Sequence, residues 1–129
     1  MTAAPARTRL PNRRPLITET LFVGGQAIEA SVGFDADGQP RELFLSGAKD
    51  GTDLAAILDD ASVVLSVALQ HGVPPAALVR SVARLPTAPL APPYLDRVED
   101  GSAEPASVIG AALDLVQQLE PSETDNDAA

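Results

Sequence analysis

Cysteine is absent from this chain of 129 residues, and histidine occurs once. With no thiol, the chain cannot form disulfides, thiolate metal sites, thiol nucleophiles or thiol redox centres. Aromatic residues make up only 3%. The core must therefore be assembled from Leu, Ile, Val and Ala, each large aliphatic side chain contributing roughly 1.5–3 kcal/mol when fully buried. No apolar run approaches the roughly 18 residues that a membrane-spanning helix needs, and residues 1–14 carry no apolar signal core, so a cytoplasmic location is expected. Positive charge is scarce as well: nine Lys and Arg against eighteen Asp and Glu leave a formal charge of −9. That balance argues against a nucleic-acid partner, because phosphate contacts need clustered Lys and Arg.

A hydrophobic content of 45% over this length supports one domain with one modest core. The charge is unevenly placed. Arg7, Arg9, Arg13 and Arg14 share the opening segment with Pro5, Pro11 and Pro15, whereas Glu120, Glu123, Asp125 and Asp127 dominate the end. Residues 1–15 are expected to form a disordered basic arm and residues 120–129 a disordered acidic tail. Residues 16–119 form the domain, interrupted at 86–104 by a linker in which Pro86, Pro89, Pro92 and Pro93 exclude helix and central strand.

Ile28, Ala30, Val32 and Phe34 alternate with Glu29, Ser31 and Gly33, the period of a strand with one apolar face. Gly24-Gly25 and Asp37-Gly38 flank it as turn dipeptides, which predicts strands near Thr18–Val23 and Arg41–Leu45. Thr52 is placed to cap a helix, with Asp53 at the positive end of its dipole. Leu54, Ile57, Leu58, Ala61, Val64, Leu65 and Ala68 then recur at helical spacing and are expected to cover the sheet. His71-Gly72 ends that helix, and Pro74-Pro75 opens another whose apolar face is Leu78, Val79, Val82 and Leu85. A last helix, from about Pro105 to Glu120, carries Val108, Ile109, Ala112, Leu113, Val116 and Leu119. The predicted class is α+β: a three-stranded antiparallel meander covered by a helical hairpin, plus a C-terminal helix after the Pro-rich linker.

Five blocks in this order resemble a known family. They are Leu10-Pro11-Asn12-Arg13-Arg14; Asp37-Gly38 with Glu42 and Phe44-Leu45; Gly47, Lys49 and Gly51; Ser66-Val67-Ala68-Leu69-Gln70-His71-Gly72-Val73-Pro74; and Gly110-Ala111-Ala112-Leu113-Asp114-Leu115. Over residues 10–119 the chain resembles a stand-alone TSCPD domain, similar to the C-terminal domain of adenosylcobalamin-dependent (class II) ribonucleoside-diphosphate reductases. The family's Cys-Pro pair is missing: the matching region here reads Ala106-Ser107-Val108-Ile109-Gly110. Ribonucleotide reduction needs a protein thiyl radical and a thiol pair, so the isolated chain is expected to show no reductase activity. An enzyme label and adenosylcobalamin are implied by the family alone, and no cofactor is expected in this chain.

The resemblance implies an accessory or regulatory module for ribonucleotide reduction and deoxyribonucleotide supply. Its expected partner is a reductase large subunit, with a nucleotide as a possible ligand. The alternative is a self-associating structural domain, a homodimer that uses aliphatic helix faces as its seam. Candidate binding residues are Arg13, Arg14, Lys49, Gly51 and Thr52. The segment Ser46–Thr52 is compatible either with a plain strand-to-helix turn or with anion binding, although Asp50 and Asp53 oppose an anion. The arm containing Arg13 and Arg14 is either a solvated leader or a fork of donors for phosphate or carboxylate. His71 reads as a helix C-cap. Asp59 and Asp60, about 100° apart on a helix, do not converge on a metal.

Overall fold

A computed structural model describes residues 6–86 and 103–121. The expectations for 1–5, 122–129 and most of the linker lie outside those residues. Three strands, β1 (Leu16–Val23), β2 (Gln26–Phe34) and β3 (Pro40–Ser46), form an antiparallel sheet in the order β1-β2-β3. Gly24 and Gly25, at φ 58° and 80°, make the two-residue connection between β1 and β2. Positive φ at both positions matches the twist of the flanking strands.

The second turn is organised by Asp35. Its Oδ1 accepts the amides of Asp37 at 2.8 Å and Gln39 at 3.0 Å, and its Oδ2 accepts Nε of Arg41 at 3.0 Å. Burial pushes the Asp35 carboxyl up, but the Gln39 amide, the Arg41 guanidinium and the Asp37 amide together hold it below the ordinary carboxylate value. Arg41 also donates to the Leu69 carbonyl at 2.9 Å, tying this turn to the end of the first helix.

That helix, α1 (Asp53–Gln70), begins where the sequence places it: the Thr52 hydroxyl accepts the Ala55 amide at 3.2 Å. It ends in a Schellman motif, with Val73 N–H donating to Ala68 O and Gly72 N–H to Leu69 O, both at 3.0 Å, and with Gly72 at φ 90°. A short helix α2 (Pro75–Ser81) follows and packs against α3 (Val108–Gln118), whose N-cap is Ser107. The α2 segment stops short of the expected Leu85. Val82 is already extended, and Arg84–Pro86 forms β4, paired antiparallel with β5 (Ala103–Pro105). The proline-bearing linker ends thus carry a two-stranded ribbon, which has only edge strands and so tolerates proline. Arg84 and Asp114 form an ion pair that joins β4 to α3.

Ile28, Ala30, Val32, Leu43 and Leu45 on one sheet face meet Leu58 and Leu69 of α1 and Val108, Ala112, Leu115 and Val116 of α3. The cover is shared: α1 lies along β3, and α3 reaches all three strands. The expected stripe on α1 needs correction. Ile57 and Val64 are 55% and 65% exposed, while Ser62, Ser66 and Gln70 are buried in their place. The helix is turned so that its polar side chains reach the edge of the sheet.

Candidate interaction site

The outer edge of β3 explains that rotation. Alternate residues of an edge strand direct their amides and carbonyls away from the sheet, where burial leaves them without partners. Here Leu45 N–H donates to Ser62 Oγ and Leu43 N–H to Ser66 Oγ, both at 2.9 Å. Ser66 Oγ returns a hydrogen bond to Leu43 O at 3.1 Å, and Gln70 Nε2 donates to Arg41 O at 3.1 Å. Four helical residues rise about 6.0 Å and two strand residues about 6.8 Å, so side chains at i, i+4 and i+8 keep step with every second strand residue. The three residues form a hydrogen-bonding ladder that stands in for a fourth strand. No buried side-chain nitrogen or oxygen among the described residues lacks a partner.

On the solvent side of this ladder a groove of about 370 Å³ runs between α1 and β3. Phe44 and Val63, 47% and 63% exposed, form its apolar walls. Glu42, Asp59 and Arg7 supply its charge. The groove opens toward the free sheet face, where Leu16 and Phe22 are also exposed and Thr18 and Ser31 share a hydroxyl hydrogen bond at 2.8 Å.

At one end of the groove the segment before β1 is pinned. Arg14 grips Glu42 with both prongs, Nε to Oε1 and Nη2 to Oε2, each at 2.8 Å, and donates from Nη1 to Pro11 O at 2.8 Å. The Glu42 hydrogen bond raises the already high Arg14 pKa against the opposing effect of burial. Thr8 N–H donates to Gln70 O at 2.6 Å, and Arg7 Nε to Gln70 Oε1. Residues 6–15, expected as a solvated arm, therefore touch the body at Gln70 and at Glu42. Gly33 makes room for this arrangement: a Cβ there would lie 2.5 Å from Glu42 Oε1 and 3.1 Å from Leu16 Cδ2.

The five candidate binding residues fall into two places. Arg13 is exposed beside the engaged Arg14. Lys49 is exposed, Gly51 turns at φ 80°, and the Thr52 hydroxyl is occupied, capping α1 and donating to Lys49 O at 2.6 Å. These groups flank opposite ends of β3, Glu42 and Ser46, which are separated by four strand residues or about 13 Å. They do not converge on one ligand. The sequence reading passed over Ser62, Ser66, Gln70, Gly33, Phe44 and Val63 as site residues. A repeat of hydrogen-bonding side chains at spacing four, beside a strand, is the signal that finds the first three.

Among the described residues no group of three or more His, Cys, Asp or Glu could hold a metal. No described helix is long and apolar enough to cross a membrane. A corrinoid does not fit the groove, which is far smaller than a corrin ring with its nucleotide tail and has no imidazole in its lining.

Comparison with known proteins gives the same relationship as the sequence blocks. A vitamin B12-dependent ribonucleotide reductase of Rhodopirellula baltica is 39% identical over 70 residues, 54% of this chain and 7% of that protein. Its namesake from Streptantibioticus cattleyicolor is 41% identical over 70 residues, 54% of this chain and 12% of that protein. The Agrobacterium fabrum protein of the same name is 35% identical over 68 residues, 53% of this chain and 5% of that protein. The chain therefore spans only a small fraction of these relatives. No solved structure matches it. The TSCPD domain model matches residues 4–116, and the chain belongs to the TSCPD domain family.

Proposed function

We propose that this chain is an accessory module of ribonucleotide reduction and deoxyribonucleotide supply, acting through contact with a reductase large chain. The observation that carries this reading is the family match over residues 4–116 together with relatives named as vitamin B12-dependent ribonucleotide reductases. The chemistry agrees with a contact role, since a chain without cysteine has no thiol to carry a radical or deliver electrons. The docking surface is the groove between β3 and α1. Its apolar walls, Phe44 and Val63, stand beside the rigid Arg14–Glu42 pair, an apolar centre with a charged rim. A nucleotide effector would act from one of two separate exposed cations, Arg13 or Lys49, rather than from the groove.

The test is a pull-down with the tagged chain from its own cell extract, with and without ATP and deoxynucleotides, followed by mass spectrometry. A reductase large chain should be recovered by the native protein and lost with Phe44→Asp, a change on the free sheet face at a side chain outside the core cluster, provided its circular dichroism spectrum is native. Arg13→Ala and Lys49→Ala should change only the effect of nucleotide. Recovery of the bait alone would refute the proposal.

A further inference from the structure

Arg7 lines the groove between α1 and β3 and also a second cavity of about 390 Å³ bounded by residues 7–10 of the arm. The two cavities share Arg7, Glu42 and Gln70, so the arm divides one trench. Gln70 fixes what this point of the trench accepts. Its Nε2 is committed to Arg41 O, which leaves Oε1 of the buried side chain as a fixed acceptor, filled here by Arg7 Nε. The other charge in the groove is acidic. Glu42 is neutralised by Arg14, whereas Asp59 has no ion-pair partner among the described residues. Asp59 and Gln70 lie about 16 Å apart along α1, with the apolar walls Phe44 and Val63 between them.

We infer that the groove takes a basic segment of its partner, an arginine and a second cation on either side of an apolar side chain, and that Arg7 is the resident competitor for it. The inference rests on the groove as the docking surface. The incoming arginine replaces Arg7 at Gln70 Oε1, the apolar side chain lies between Phe44 and Val63, and the second cation meets Asp59. About five extended residues cover the 16 Å between the two polar ends. Charge selects this occupant over an acidic one. A chain of −9 draws a basic segment at long range, and Asp59 repels a carboxylate at short range. The competitor is built to leave. Arg7 is exposed and its side chain is held by one hydrogen bond, so its displacement uncovers no core. Thr8 N–H stays on Gln70 O and Arg14 stays on Glu42, so the arm remains attached while the guanidinium gives way.

The test is fluorescence anisotropy on the purified full chain with the peptide Arg-Ala-Leu-Ala-Arg, capped at both ends and carrying an uncharged dye. Arg7→Ala should bind it about tenfold more tightly than the native protein, because the competitor no longer lowers the fraction of open grooves. In the Arg7→Ala background, Asp59→Asn should weaken binding by about threefold. Two controls change the net charge equally at exposed positions outside the groove. Arg80→Ala in the native protein and Asp60→Asn in the Arg7→Ala background should leave the affinity within about twofold. The peptide Glu-Ala-Leu-Ala-Glu should not bind. Failure of Arg7→Ala to bind the basic peptide, equal affinities for Arg7→Ala and Arg80→Ala, equal losses for Asp59→Asn and Asp60→Asn, or comparable binding of the acidic peptide would overturn the inference. No cell extract enters this assay. A pull-down without a reductase leaves its outcome unchanged, and a failed peptide refutes the basic segment without refuting the reductase contact.

Discussion

Replacing Ser66 by Ala is the most direct test of the edge ladder. The Ser66 hydroxyl accepts the Leu43 amide at 2.9 Å and donates to the Leu43 carbonyl at 3.1 Å, in surroundings that leave the residue 8% exposed. Alanine removes both partners at once, beside the groove that Ser66 helps to line. An unsatisfied buried backbone group costs about 1–3 kcal/mol, and the better helix propensity of Ala returns at most about 0.5 kcal/mol. The expected loss is therefore about 2 kcal/mol. Ser62→Ala orphans only the Leu45 amide, because the Leu58 carbonyl that Ser62 also contacts is on the helix's own backbone. Its loss should be about 1 kcal/mol. Against a domain stability of roughly 5–15 kcal/mol the double variant should be visibly weakened but folded. Urea unfolding followed by circular dichroism gives these values, with unchanged slopes showing that the same surface is exposed on unfolding. Ser81→Ala is the matched control: an exposed serine whose hydroxyl bonds its own helix at Ala77 O should change stability by less than about 0.5 kcal/mol. If Ser66→Ala and Ser81→Ala had the same stability, the ladder would not contribute to the fold.

Gly33→Ala should destabilise by about 1–3 kcal/mol, since its Cβ would stand 2.5 Å from Glu42 Oε1, and a Glu42→Ala change in the same protein should recover part of the loss in a double-mutant cycle. The lowered Asp35 pKa gives a pH dependence of definite sign. Its contribution to stability is present above the unfolded value of 3.8 and is lost as pH falls through the still lower folded value. Urea midpoints between pH 7 and pH 2 should therefore fall at the acid end for the native protein and less steeply for Asp35→Asn; parallel curves would remove Asp35 from the account.

The strands and the ends of α1 were legible because local chemistry alone decides them. Gly24-Gly25, Asp37-Gly38, Thr52 and His71-Gly72 act through backbone geometry and capping, which do not depend on distant partners. The face that α1 buries was legible only in part: Leu54, Leu58 and Leu65 pack inward as expected, whereas Ile57 and Val64 do not. Periodicity ranks Ile57 and Val64 above Ser62 and Ser66, but the decisive quantity is the set of unpaired groups on an edge strand distant in sequence. Likewise Val82 and Leu85 continue the α2 pattern, yet pairing between β4 and β5 overrides it across the linker. None of the groove's charged lining residues, Arg7, Glu42 and Asp59, was among the candidate binding residues. Arg14 was recognised as a donor fork without its acceptor, because Glu42 reaches it across Gly33 in a neighbouring strand.

The ladder on β3 also governs how this sheet could grow. Uncontrolled strand-by-strand polymerisation requires two receptive edges on every molecule, one to join and one to offer onward. With Ser62, Ser66 and Gln70 occupying outward groups of β3 at Arg41, Leu43 and Leu45, among the described residues only β1 remains receptive in the three-stranded sheet. Any strand exchange through that sheet must then terminate after a single pairing, and two hydroxyls and one amide give the fold a chain stopper against fibre formation.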